Sequence, residues 1–411
     1  MDSRSPILWK LAHEPSGPLV PYLESFARLL IGQGFRQRHL GPSIRITANF
    51  SRWLQTRKTV ATEISDADVA KFLRRPGMCA TIKGGGRASL QRLLDFLRHE
   101  GVVRSATECG DLTPLQEVVQ RYGRDLLDKQ GLSERTRIQY CPFVEAFLSQ
   151  RFGNEQIDLA TLCAADVIRF IRVQAARLSP ARAKAATIAL RSFLRYARYR
   201  GEIHLDLAAA VPMVPNWSMT AIPRAIAADH VRAALAHCQR DTPCGSRDFA
   251  ILLLLARLGL RAGEIVSLTL DSIDWEHGSI AVNGKGGNAT QLPLPSEVGE
   301  AIAHYLRTGR QTCVSRTLFL RMNAPIRSLG SSTTIGTIVN AALTRAGVAC
   351  SNRGSHQFRH ALAADMLRRG ATLSEIGSLL RHRHAKTTAI YAKVDFVALR
   401  PLSLPWPGAI S

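Results

Sequence analysis

Acidic side chains are scarce in this chain. It has 32 Asp and Glu against 54 Lys and Arg in 411 residues, a formal net charge of +22. The few carboxylates form no DDE-like grouping, which argues against a nuclease or transposase that works through metal ions held by clustered acids. The eight cysteines, Cys79, Cys109, Cys141, Cys163, Cys238, Cys244, Cys313 and Cys350, stand singly with no CxxC pair. A zinc finger is therefore not expected, and reduced thiols in a cytoplasmic protein are. Long hydrophobic runs are absent too. The longest, Ile251–Ala256, is far short of the roughly 20 residues that a membrane span needs. The first residues, MDSRSPILWKLAHEP, lack the sustained apolar stretch of an export signal. No membrane partner is expected.

The chain does have enough apolar residues, 46%, to build a core, and enough length for two or three domains. Its positive charge points to a polyanion, because basic side chains that neutralise phosphates release counterions. A basic surface that serves solubility alone is the plainer alternative.

A faint internal repeat runs through the first half. Phe26–Leu54 resembles Tyr122–Leu148, Asp66–Leu73 resembles Ala164–Ile171, and Leu93–Gly101 resembles Phe193–Gly201. Three ordered matches at nearly constant offset suggest two copies of one small helical unit. Both show apolar residues at i, i+3, i+4 and i+7. Asp66 and Asp68 suit a helix start, and Gly101 and Gly201 suit helix stops. The last helix of the second copy, Ala181–Arg200, carries Arg182, Lys184, Arg191 and Arg195, assigned here to the DNA backbone; its other basic residues form a solvated face. A Pro-containing linker follows at Val211–Pro223. Beyond it the pattern predicts a helix over Ala227–Cys238 capped by Asp229, and a buried helix over Arg247–Leu258. A hairpin comes next, with strands Ser279–Asn283 and Gln291–Leu294 about the turn Gly284–Asn288. From Ser331 to Ala392 the period is helical again, broken at Gly347–Gly354 and Gly370. The fold expected is mainly α, with a small β hairpin in the C-terminal domain.

Four local patterns in the last part of the chain carry chemistry. In Leu258-Gly-Leu-Arg-Ala-Gly-Glu-Ile265, Arg261 stands at a helix start, where its guanidinium and backbone N–H groups can face an anion. An ordinary Arg261–Glu264 surface pair is the plain alternative. Lys285, in Gly-Lys-Gly-Gly, lies at the hairpin tip, where lysine is also commonplace. In His356-Gln-Phe-Arg-His360, His356 and Arg359 share a helix face. His356 and His360 imitate a metal pair, but no catalytic Glu stands between them and no acidic third ligand is evident. Last, Leu379-Leu-Arg-His382 precedes Thr387-Thr-Ala-Ile-Tyr391, whose tyrosine taken alone reads as a core aromatic.

In order, Arg261, Lys285, His356, Arg359, His382 and Tyr391 resemble the active-site signature of the tyrosine recombinase, or phage integrase, family. The resemblance is strong over residues 225–395 and weak over about 115–205. It implies an N-terminal SAM-like helical DNA-binding domain at 113–205, a linker at 206–224, a catalytic domain at 225–395 and a tail at 396–411; residues 1–105 are an extra helical unit, a candidate duplicate. The implied enzyme is a DNA strand transferase that cuts and rejoins DNA through a 3′-phosphotyrosyl bond without cofactor or metal. Tyr391 would be the nucleophile. Arg261 and Arg359 would clamp the phosphate, with His356 and His382 donating to it. His356 would also accept the tyrosine proton, and Lys285 would protonate the leaving oxygen. The partners implied are double-stranded DNA, gripped from two sides, three further protomers in a homo-tetramer, and accessory proteins. Integration, excision or transposition of a mobile element is the expected process. Two departures stand out. Phe358 replaces a common Leu, and Arg381 replaces a usual Gly just before His382; Arg is costly there if the backbone is left-handed. A type IB topoisomerase and a non-catalytic DNA-binding protein of the same fold are the alternatives.

Overall fold

A computed structural model of the chain describes residues 14–75, 80–103, 113–153, 156–214, 226–284, 289–350, 353–382 and 384–394. Two compact units emerge, one of residues 105–220 and one that combines residues 1–104 with 221–411.

Residues 14–103 hold four helices: α1 (Leu23–Gly32), α2 (Gln37–Thr56), α3 (Asp66–Leu73) and α4 (Ala80–His99). Phe26, Phe50, Phe72, Leu90 and Leu94 fill the core between them. The helix starts follow from local chemistry. Ser65 caps α3 by accepting from the Asp68 N–H, while the Asp68 carboxylate accepts from the Ser65 N–H at 3.0 Å. Gly86 brings α4 against α2, because a Cβ there would collide with the Ile46 side chain.

The unit of residues 105–220 has the same plan: α5 (Pro114–Asp128), α6 (Glu134–Phe152), α7 (Ala164–Arg177) and α8 (Pro180–Tyr199). A short 3-10 turn precedes the third helix in both sets, at Ala61–Glu63 and at Leu159–Thr161. The third helix begins at Asp66 and at Ala164, and 164 − 66 gives an offset of 98. Asp166 occupies in α7 the capping place of Asp68 in α3. Both last helices end before a glycine at positive φ, Gly101 at +70° and Gly201 at +74°. Tyr122, Phe147, Phe170, Leu190 and Phe193 form the core of this unit.

Residues 226–394 hold α9 (Ala228–Ala236), α10 (Pro243–Arg257), α11 (Ala262–Ser267), β1 (Ile273–Asp274), β2 (Ser279–Asn283), β3 (Ala289–Pro293), α12 (Ser296–His304), α13 (Ser332–Arg345), α14 (His356–Arg368), α15 (Leu373–Leu379) and α16 (Ala385–Thr388). A 3-10 turn, Ala389–Val394, follows α16. The three strands make one antiparallel sheet in the order β1-β2-β3, with Ile280 opposite Leu292. α10 is buried on every side from Gly245 to Ala256, as its Ile-Leu-Leu-Leu-Leu-Ala run requires, and forms the axis of this core.

Two local expectations need correction. Ala227, not Asp229, is the N-cap of α9, and Asp229 lies in the first turn paired with Arg232. The second hairpin strand begins at Ala289 rather than Gln291. β1 went unforeseen because two residues are too few to show a period. Of the expected turn Gly284–Asn288, residues 285–288 lie outside the described residues.

Phe193 has no exposed surface and meets the Tyr122 ring edge-on, with centroids 5.4 Å apart. Phe193→Ala is expected to lower the unfolding free energy by roughly 3–5 kcal/mol, read by urea denaturation of the full chain. A loss under about 1 kcal/mol would contradict this packing.

Candidate active site

The turn from α10 into α11 sets the first functional group. Gly259 has φ +55°, and a Cβ there would lie 2.7 Å from Cδ2 of Leu380 and 3.1 Å from Cδ2 of Leu362. Both backbone conformation and packing therefore require glycine. Arg261 is the N-cap of α11. Its backbone N–H donates to Oε2 of Glu264 at 2.8 Å, and its Nη1 donates to Oε1 at 2.6 Å. Glu264 is buried, whereas a third of the Arg261 side chain reaches solvent. The pairing expected of an ordinary surface arginine is thus present, but it ties the guanidinium to a buried anchor.

α14 presents three more groups. His356 is exposed at its first residue. Arg359, one turn on, is only 3% exposed, and it donates from Nη1 to the Gly259 carbonyl and from Nη2 to the Leu380 carbonyl. Burial and the neighbouring Arg261 and Arg381 push its pKa down to about 10, so it stays charged at neutral pH. His360 bonds through Nδ1 to the Tyr391 hydroxyl at 3.0 Å, with ring centroids 5.6 Å apart. In the described geometry the imidazole hydrogen-bonded to the phenol is that of His360, a contact the sequence did not announce. Burial, His356 and Arg359 hold His360 below the ordinary imidazole range, and partial desolvation of the ring, with Arg359 and Arg261, does the same for His356 although the residue keeps access to solvent.

The end of α15 explains Arg381. The Arg381 N–H bonds to the Ser378 carbonyl at 3.0 Å, and the His382 N–H reaches back to the Gly377 carbonyl at 3.0 Å. These two bonds make a Schellman stop, whose residue after the C-cap takes left-handed φ and is usually glycine. Arg381 occupies that place at φ +55°, a conformation that costs a non-glycine residue about 1 kcal/mol. His382 is nonetheless well placed. Its Nδ1 lies 2.8 Å from Oγ1 of the buried Thr388, and its ring lies parallel to that of Tyr391 at 6.4 Å. Burial first, then Arg359 and Arg261, push His382 down to about 4. Tyr391 is 2% exposed, and burial raises its pKa while Arg359 opposes the rise.

One end of the fold thus brings together Arg261, Arg359, His382 and Tyr391, with His356 at the exposed start of α14. Lys285 lies outside the described residues. His360, Thr388 and Arg381 are participants that sequence reasoning did not assign. The HxxRH and TTxxY strings contain the first two, but nothing local in either string says which partner each side chain meets. Among the described residues, no group of three His, Cys, Asp or Glu side chains is arranged to hold a metal ion. On α8, Lys184, Arg191 and Arg195 share one face at i, i+7 and i+11, and Arg182 lies off it near the helix start. Arg182, Lys184 and Arg195 are exposed, while Nη2 of Arg191 donates to the Val211 carbonyl at 2.6 Å.

A histidine kept neutral by the fold binds fewer protons than its unfolded counterpart between their two pKa values. For His382 that window runs from about pH 4 to the ordinary value of 6.5. Stability is therefore complete above it and falls as the pH drops through it. The unfolding free energy should be lower at pH 5 than at pH 7.5, and His382→Asn should flatten the dependence. A wild-type chain equally stable at both pH values would contradict the burial of neutral imidazoles here.

Comparison with known proteins bears on the family to which the chain belongs. A model of the phage integrase family matches residues 224–397. A putative integrase/recombinase of Sinorhizobium fredii, y4rA, is 48% identical over 404 residues, covering 97% of each chain. Tyrosine recombinase XerD of Mycobacterium tuberculosis is 30% identical over 328 residues, 78% of this chain and 96% of that protein. In fold, the chain is similar to XerH site-specific recombinase bound to its difH substrate (TM-score 0.55, 16% identity, 95% of this chain and 98% of that one). It is also similar to a lambda integrase fragment bound as a dimer to a core site (TM-score 0.52, 18% identity, 67% and 94%). These likenesses favour neither a topoisomerase nor a protein without catalysis, and the chain belongs to the tyrosine recombinase, or phage integrase, family of DNA strand transferases.

Proposed function

We propose that Arg261, Lys285, His356, Arg359, His382 and Tyr391 are the catalytic set of this site-specific recombinase, and that His360 joins them as the proton acceptor of the nucleophile. The observation that carries the reading is the fixing of two guanidiniums on successive carbonyls. Nη2 of Arg359 donates to Leu380 O and Nη2 of Arg261 to Arg381 O, the latter at 3.4 Å, with the Tyr391 hydroxyl on His360 beside them.

The tyrosine oxygen attacks the scissile phosphorus, and its proton passes to His360. The bond from phosphorus to the 5′-oxygen breaks, and Lys285 supplies that oxygen with a proton. The product is a 3′-phosphotyrosyl bond and a free 5′-hydroxyl. Attack by the 5′-hydroxyl of another strand reverses these transfers, so rejoining draws on the energy stored in the phosphotyrosyl bond. The phosphorane-like transition state gathers negative charge on its nonbridging oxygens, which Arg261 and Arg359 clamp because both remain charged. His356 and His382 donate further hydrogen bonds. Both imidazoles sit below their ordinary pKa in the free protein, and an arriving phosphate would favour their protonated, donating forms.

The substrate proposed is duplex DNA. Arg182, Lys184 and Arg195 on α8 are exposed donors for its backbone, and Arg191 contributes with the part of its fork not bonded to Val211. The domain division proposed is 1–105, 113–205, a linker at 206–224, a catalytic domain at 225–395 and a tail at 396–411. Four strand cuts on two sites call for a homo-tetramer, with accessory proteins setting direction. Movement of a mobile element in the cytoplasm is the proposed setting, supported by likeness to relatives called integrase/recombinase.

A nicked duplex that loses its leaving strand should trap an SDS-stable protein–DNA adduct with the wild-type chain. Tyr391→Phe should form none, and Arg359→Ala should slow trapping about 100-fold or more. An adduct formed by Tyr391→Phe at the wild-type rate would refute the assignment. His360→Ala should slow trapping about 10- to 100-fold at neutral pH, with a smaller deficit at high pH, where the phenol ionises unaided. A wild-type rate for His360→Ala would return the proton-acceptor role to another group.

A further inference from the structure

A buried carboxylate among the arginines of the site, Glu264, raises an electrostatic problem. Glu264 is 5% exposed, and its Oε1 lies 2.6 Å from Nη1 of Arg261. A buried carboxylate that close offsets most of the field that Arg261 would present to a phosphate, and it repels the phosphate itself. Left as an isolated pair, Arg261 and Glu264 would make a nearly neutral contact where the reaction gathers negative charge.

Arg381 answers this. Its Nη2 donates to Oε2 of Glu264 at 2.9 Å, the oxygen that also accepts the Arg261 N–H. Its side chain is only 10% exposed, so the attraction is little screened. Its Nη1 donates to the Leu379 carbonyl at 3.3 Å, and its own carbonyl accepts from Nη2 of Arg261 at 3.4 Å. The residue therefore grips the Arg261–Glu264 pair from both backbone and side chain. The turn alone gives no reason for an arginine here. A glycine would take φ +55° without strain, and Nε of Arg381 is buried with no hydrogen-bond partner among the described residues. The side chain, rather than the turn, has to account for the residue.

We propose that Arg381 is a positioning residue of the strand-transfer site: it holds Glu264 and cancels its charge, so that Arg261 keeps both its aim and its attraction for the scissile phosphate. This rests on the assignment of Arg261 to the phosphate clamp. Arg381 itself need not touch DNA.

The test uses the full-length chain and a nicked duplex selected from random sequence by recovery of SDS-stable adducts with the wild type. Single-turnover trapping over a range of protein concentrations separates the maximal rate from half-saturation. For Arg381→Gly, which relieves the backbone strain, the maximal rate should fall about tenfold while half-saturation moves less than about twofold. Adding Glu264→Gln to Arg381→Gly should recover about threefold or more of that rate, because the uncompensated charge has gone; a purely structural tie would make the double variant slower still. The proposal is overturned if Arg381→Gly traps at the wild-type rate, if its defect lies only in half-saturation, or if the double variant is no faster than the single one. Failure of the wild type to yield any Tyr391-dependent adduct would instead count against the recombinase assignment beneath it.

Discussion

A guanidinium taken out of water must find acceptors, and Arg359 finds two backbone carbonyls that belong to different elements. One is Gly259, in the turn between α10 and α11, and the other is Leu380, at the end of α15. Leaving a buried charge unpaired would cost several kcal/mol, so these three segments hold a fixed relation wherever the domain is folded. The rest of the site hangs on that junction. Arg261 starts the helix that follows Gly259, His382 follows Leu380 by two residues, and Tyr391 packs against both α14 and α15 through Ala363, Ile376 and Leu380. Elements far apart in sequence thus become one surface because a single cation needs them both.

The electrostatic state of the free site follows from the same crowding. Arg261, Arg359 and Arg381 lie around one carboxylate, Glu264, whose pKa is lowered by hydrogen bonds from Arg261 and by the charges of Arg261 and Arg381, against the effect of burial. Burial first, and the neighbouring cations after it, make the three imidazoles give up protons more readily than usual. The site is therefore arranged for an anion, and the buried Tyr391 waits with its hydroxyl on a neutral ring. Arrival of a phosphate supplies the missing negative charge and reverses the tendency of His356 and His382 to stay neutral.

Much of this was legible in the residues. Helical periodicity, the glycine stops at Gly101 and Gly201, the uncharged run of α10 and the helix start at Arg261 are local signals, and the helices follow them. The repeat of the first half shows in helix order as well as in matched strings. The ordered set from Arg261 to Tyr391 pointed to the family because its members carry recognisable neighbours. What stayed hidden depends on pairing across long separations. Nothing near His360 announces that its partner lies 31 residues on at Tyr391. Nothing near Arg381 announces that its guanidinium reaches Glu264, 117 residues away. The sequence did raise the question that Arg381 poses, a large side chain where glycine is usual; only the hydrogen bonds at the end of α15 explain how it fits.

The central claim is that the phenolic oxygen of Tyr391 bonds covalently to DNA. The most direct measurement is to trap the adduct, digest protein and DNA, and locate the nucleotide-bearing residue by mass spectrometry. The account predicts a single modified residue, Tyr391, linked to the 3′ end of the cut strand. A nucleotide on any other side chain, or a linkage to the 5′ end, would contradict it.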